Sequence, residues 1–228
     1  MVVAGCVALL SACSSSHANN AADTSTASSS TTASTTVVPT TTTTAPTGPT
    51  SAAELESKLS NVVPPGFRVQ PDSVDDTGPS DLAKAARDEG SEDGGAVLRG
   101  EHFVRGYQRL WVDGAKHRLA LVVYQFENQA GATENFNRGA DLLRATAFGH
   151  AFPFPLNGFA TGSTLALVAK VPGEYAVVAM THRGPFVIQI RLGGAKPEPL
   201  EAAVAAMLTD QATRLGVTSD DSRPPGSD

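Results

Sequence analysis

The chain has 228 residues, with 23 acidic against 17 basic side chains and a net charge of −6. That balance, with no local cluster of Lys or Arg, argues against a nucleic-acid partner, because phosphates are neutralised by basic surfaces. Both cysteines, Cys6 and Cys13, fall in the first stretch of the chain. The rest therefore has no thiol for a disulfide, a thiolate metal site or a nucleophile.

An apolar run from Val2 to Leu10 leads into Leu10-Ser11-Ala12-Cys13. It is shorter than the roughly 20 residues that span a bilayer and has the length of a signal-peptide core, about 7–15 residues. Residues 1–12 are thus expected to be a cleaved signal, although no basic residue precedes Val2, which suggests a translation start further upstream. Cys6, mid-core, is read as an apolar filler. From Ser14 to Thr50 the chain is Ser/Thr-rich, with Pro39, Pro46 and Pro49, and lacks the apolar content to offset ordering entropy. Residues 13–50 are expected to form a disordered tether spanning about 30–35 Å as a coil. The tract also suits O-glycosylation; a bare spacer is the alternative.

Leu10-Ser11-Ala12-Cys13 resembles the lipobox of diacylglyceryl-modified bacterial lipoproteins. That resemblance implies cleavage before Cys13, acylation of Cys13, and a protein held on the extracytoplasmic face of the cell membrane by its acyl chains. Durable anchoring of this kind takes two or more chains, at about 0.8 kcal/mol per buried CH₂.

The remaining residues, 51–216, have the size of one domain, with 217–228 a polar tail. Ser51-Ala52-Ala53-Glu54 is a capping box, and Leu55, Leu59 and Val62 predict a helix over 51–62. A short strand is expected at Phe67–Gln70, and a second helix from Ser80 carrying Leu82, Ala83 and Ala86. The acidic, Gly-rich Glu89–Gly95 stretch predicts a loop. Phe103 to Val112 alternates with period two, Asp113-Gly114 is a hairpin turn, and Arg118–Phe126, apolar on both faces, reads as a central strand. Asn128 caps a helix bearing Ala132, Phe136, Ala140, Leu143 and Ala147. The aromatic stretch Phe148–Phe159 predicts a loop lying on something apolar. Strands are expected at Ser163–Val171, Tyr175–Thr181 and Phe186–Leu192. Gly193-Gly194 is expected to break the sheet, and a helix to run from Pro197 to Leu215, stopping at Gly216.

Strand, turn, strand, helix thus occurs twice, at Tyr107–Leu143 and Tyr175–Leu208. The expected fold is α+β: an antiparallel sheet of about five strands, arranged as two ββα units, with helices packed on it. If both helices lie on one face, a groove between them would suit acyl chains.

No motif carries catalysis. None of His102, His117, His150 and His182 has a partner at helical metal-site spacing. Ser163 lacks a nucleophile elbow, Gly158–Gly162 has too few glycines for a dinucleotide turn, and Glu127, Glu134 and Asp141 read as a solvated helix face. No metal or cofactor is expected. Arg105, Tyr107, Arg109 and Trp111 share one strand face, either as a stacking and cation–π platform for a ligand or as rings covered by a helix with guanidinium groups reaching solvent. Phe152 and Phe154 either close the core or border an apolar groove. The function expected is a non-enzymatic binding or accessory module for an envelope protein, lipid or glycan. The alternative is an envelope hydrolase that brings Ser or Asp to His150 or His182 from separate elements.

Lipobox, Thr-rich tether and one small α+β domain together resemble cell-envelope lipoproteins of mycobacteria and related actinobacteria, and more loosely the LpqN-type group. The late strand Phe186-Val187-Ile188-Gln189-Ile190 is part of that resemblance. It implies no catalytic residues, since that group brings no catalytic motif.

Overall fold

Arg118–Phe126 (β4) explains the layering. Leu119, Leu121 and Val123 point to one face and Tyr124 and Phe126 to the other, and all five are buried. A strand apolar on both sides needs cover on both sides, and the computed structural model, which describes residues 48–74, 76–90, 92–146, 151–171 and 173–216, supplies it. The leader, most of the tether, the tail, and Ala147, Phe148 and His150 lie outside the described residues.

Among the described residues the elements are, in chain order, α1 (Ala52–Ser57), β1 (Arg68–Val69), β2 (Gly78–Ser80), α2 (Leu82–Glu89), α3 (Gly94–Gly100), β3 (Phe103–Val112) and β4. They continue with α4 (Gln129–Thr146), β5 (Ala151–Pro153), a single 3₁₀ turn, β6 (Thr164–Val171), β7 (Glu174–Arg183), β8 (Phe186–Gly194) and α5 (Pro197–Arg214). The strands form one antiparallel sheet in the order β1-β3-β4-β8-β7-β6-β5, and β2 also pairs with β3. The α+β class holds, with eight strands rather than about five. β1 falls within the short strand expected at Phe67–Gln70, and the two strands not anticipated, β2 and β5, are short pieces of three residues each. Pro79 and Pro153 interrupt β2 and β5, so two- and three-residue strands leave no periodic signal.

The two ββα units are present as β3-β4-α4 and β7-β8-α5, with β4 and β8 side by side at the centre. Their helices, however, lie on opposite faces. Val204, Met207, Leu208 and Ala212 of α5 share a core with Leu121, Val123, Ile188 and Ile190, joined by Leu55 of α1. Ala132, Phe136 and Ala140 of α4 share the other core with Tyr124, Phe126, Met180 and Val187, joined by Ala85 of α2 and Leu98 of α3. Hence no groove forms between α4 and α5, and the acyl-chain groove expected there is corrected. The alternation in β4 dictates this: Leu119, Leu121 and Val123 on one side and Tyr124 and Phe126 on the other are all buried, so each face needs helical cover.

Further differences have local causes. α1 stops at Ser57, short of Val62, because α5 takes the next backbone groups. Gln211 Oε1 accepts from Ser60 N at 2.7 Å, Gln211 Nε2 donates to the Lys58 carbonyl at 3.1 Å, and Ser60 Oγ donates to Asp210 at 2.7 Å. The Glu89–Gly95 stretch ends one helix and begins another: Gly90 adopts φ 69° to cap α2, and fully buried Leu98 anchors α3. Gly193 and Gly194 do not break the sheet. They pair with Ala176 and Tyr175, and a β-carbon at Gly194 would meet Leu200 at 2.8 Å, so glycine lets the first turn of α5 fold back onto its strand.

Candidate functional site

The β3 row comes to lie beneath α1. Tyr107 and Trp111 are 1% and 4% exposed, in the core shared by Leu55, Leu59, Leu208 and Leu215. The Tyr107 hydroxyl donates to Asp72 Oδ2 at 2.5 Å, and burial together with that carboxylate pushes the phenol pKa well up. Arg109 Nη2 reaches Glu56 Oε1 on α1 at 2.5 Å while its guanidinium stands 5.2 Å from the Tyr107 ring centroid. Arg105 is half-buried, and its Nε, like that of Arg109, is buried without a hydrogen-bond partner. The rings thus face protein, and the charged ends line the rim beside α1. Glu54, at the start of α1, is held below the usual carboxylate range by donation from the Thr50 N–H and hydroxyl.

Phe152 and Phe154 take different environments. Phe152, on edge strand β5 opposite Val168, is 65% exposed. Phe154 donates its N–H to the Ala166 carbonyl at 3.2 Å and packs, with Leu156 and Phe159, against the core on the α5 side. Arg183 fixes the end of that loop, donating to the Gly158 carbonyl at 2.7 Å with its guanidinium 4.5 Å from the Phe159 centroid.

The described histidines are apart from one another. His102 pairs with Glu127 at 3.3 Å and His117 with Asp113 at 2.8 Å, both at turns. His182, on β7, sits against Phe136 with centroids 4.9 Å apart and approaches Thr133 Oγ1 at 3.4 Å. Burial lowers its pKa. Among the described residues no group of three His, Cys, Asp or Glu side chains is placed to hold a metal ion, and no helix is long and apolar enough to cross a membrane.

Two polar clusters escaped the sequence reading, because both assemble across separate elements. Arg138 of α4 is held by Glu101, through Nε–Oε1 at 2.8 Å and Nη2–Oε2 at 2.9 Å, and by Glu89 at the end of α2. Asn135 Nδ2 donates to the same Glu101 at 2.9 Å, so three helices are clamped at one point. The second cluster lies where α2 borders the sheet. Lys84 Nζ stands 3.6 Å from Asp88 and donates to Ser80 Oγ at 2.9 Å, and the Tyr124 hydroxyl approaches Asp88 at 3.4 Å. Burial raises the Asp88 pKa.

Next to this cluster, the part of the sheet face beyond α4 is only partly covered. Arg191 is the one residue of β8 that is exposed. Directly across from it stand Ala120 on β4 and Val178 on β7. Its Nη2 donates to Gln189 Oε1 at 3.1 Å, and among the described residues no carboxylate lies within ion-pair distance. A signal was present in the sequence: Phe186, Ile188, Ile190 and Leu192 are all apolar, whereas the alternate positions turn from Val187 to Gln189 and Arg191. The helix on that face covers only the first part of the strand.

Residues 42–218 match the profile of a family described as "Domain of unknown function (DUF7373) N-terminal". The chain belongs to the DUF7373 family. No curated protein matches it. The DUF7373 fold is similar to the crystal structure of the extracellular domain of PknH from Mycobacterium tuberculosis. The TM-score is 0.50 at 12% identity, over 74% of this chain and 99% of that one. At that identity the likeness is one of fold, and it agrees with the α+β sheet described above.

Proposed function

We propose that the chain is an extracytoplasmic lipoprotein of the actinobacterial cell envelope. In this reading residues 1–12 are removed as a signal, Cys13 carries the acyl chains, and residues 13–50 tether a single domain, 51–216, that serves as a non-enzymatic binding or accessory module. The observation that carries the reading is the fold shared with an extracellular domain, in a chain whose leader ends in Leu10-Ser11-Ala12-Cys13. Arrangement within the domain supports a binding role. Its polar clusters at Arg138 and Gln211 hold elements together, and among the described residues the half-buried His182 approaches Thr133.

The partner is an envelope protein, lipid or glycan, engaged through the domain surface. The test is expression of the full chain in an actinobacterial host, followed by fractionation and protease treatment of intact cells. Recovery in the membrane fraction with the domain accessible from outside, and capture of a defined envelope component by the purified domain, are expected. A chain recovered in the cytosol contradicts the reading.

A further inference from the structure

β8 is a central strand, flanked by β4 and β7. Its even-numbered residues are buried under α5, and on the opposite side Val187 is buried under α4. Beyond Val187 that second side opens: Gln189 is half-buried and Arg191 exposed. The surroundings of Arg191 are small or apolar. Ala120 and Val178 are its cross-strand neighbours, while Val122 and Ala176 lie one step along the same face; of these only Val178 is buried, and the others are half-buried.

An exposed arginine on a sheet face leaves donors for water or a ligand to use. A guanidinium carries five N–H donors in a planar fork suited to a two-oxygen anion, and here one donor is occupied by the Gln189 amide oxygen. The protein around Arg191 also desolvates it: burial lowers its pKa, partly offset by the nearby Asp88 and Tyr124. Arg191 nevertheless remains charged at neutral pH. An exposed cation that the surrounding protein partly desolvates gains from an incoming anion that restores the lost solvation. The two acidic groups nearby are otherwise placed. Asp88 is paired with Lys84 at 3.6 Å, and Glu174 lies beside Gly193, at the end of the face. Glu174 disfavours an anion there and leaves the floor of Ala120 and Val122 for an apolar body.

We propose that this open half of the sheet face binds a small anionic amphiphile, a carboxylate or phosphate ester bearing an apolar body, with its head on Arg191 and its body over Ala120, Val122 and Val178. The inference rests on the binding-module reading and gives that module a place and a ligand class. It does not involve the β3 row, which faces the other side of the sheet under α1.

The test is calorimetric titration of the full chain carrying Cys13→Ser with four probes: decanoate, decyl phosphate, decanol and inorganic phosphate. Decanoate and decyl phosphate are expected to bind. Arg191→Gln should weaken both by about tenfold or more, the scale of a lost charge-assisted bidentate contact, while Arg191→Lys retains part of the affinity. Val122→Gln should weaken the two amphiphiles but leave any inorganic phosphate binding unchanged. Circular dichroism of each variant excludes unfolding as the cause. Decanol binding as tightly as decanoate, equal affinity in Arg191→Gln, or no binding of either amphiphile overturns the proposal. Inorganic phosphate binding as tightly as decyl phosphate removes the apolar body from it. If the amphiphiles fail while the same protein still captures an envelope component, this site is wrong and the binding-module reading stands.

Discussion

The carbonyl oxygen of Glu101 occupies the space that a side chain on Gly131 would need: a β-carbon there would lie 1.9 Å from it. Gly131 is in the first turn of α4, where its N–H is capped by Asn128 Oδ1 at 3.0 Å, so the end of α3 is pressed against the start of α4. Gly131→Ala is expected to destabilise the domain by about 3 kcal/mol, because backbone must move on one side or the other. Gly100→Ala, at a helical glycine with nothing within 4 Å, should be neutral or stabilise by up to about 0.5–1 kcal/mol. Urea unfolding of both variants checks the contrast.

The covered β3 row and the exposed β5 edge separate in the same way. Trp111, 4% exposed, should lose about 3–5 kcal/mol on replacement by Ala. Phe152, 65% exposed, should change stability by no more than about 0.5 kcal/mol when replaced by Ala. Denaturant midpoints of Trp111→Ala and Phe152→Ala decide this, and equal costs would mean that the row is not under α1.

His182 predicts a pH dependence. Burial against Phe136 lowers its pKa in the folded state, so between that value and the unfolded value of about 6.5 the unfolded chain binds the proton and the folded chain does not. Stability from this residue is complete above about pH 6.5 and is lost as pH falls through that window toward the folded-state value. His182→Gln should therefore shrink the difference in unfolding free energy between pH 7.5 and pH 5.5 relative to the parent. A difference of the same size would assign the dependence to other groups.

Edge strand β5 is protected by where its proline falls. Phe154 donates inward to Ala166, so Phe152, in the same register, also bonds inward, and Ala151 and Pro153 point outward. Proline at an outward position leaves the edge without a donor there. Pro153→Val restores that donor next to an exposed Phe152 and is expected to produce concentration-dependent dimers in sedimentation velocity, with the parent remaining at lower association.

The long elements were legible because their periodicity is set by burial: β3, β4, β7, β8, α4 and α5 all lie close to where alternation or helical spacing puts them. What the sequence left open was which face each helix takes. Leu119, Leu121 and Val123 against Tyr124 and Phe126 already required cover on both sides, but the partner of each side depends on connections that no local pattern encodes. The α3 helix was hidden because it begins with Gly94 and Gly95 and is held by one buried Leu98. As for the candidate site, period-two alternation puts Arg105, Tyr107, Arg109 and Trp111 on one strand face, while the cover that α1 gives to Tyr107 and Trp111 depends on packing that the pattern does not encode. For Arg191 the sequence shows only the change from Val187 to Gln189 and Arg191 along β8; that its cross-strand neighbours are Ala120 and Val178 depends on pairing that no local pattern encodes.

The most direct test of the central claim is the intact mass of the mature N-terminus, measured on the full chain purified from the membranes of an actinobacterial host. The account predicts a chain that begins at Cys13 and carries a diacylglyceryl group, with Cys13→Ser abolishing both the modification and membrane retention. An unmodified Cys13, or a mature protein that retains residues 1–12, would contradict it.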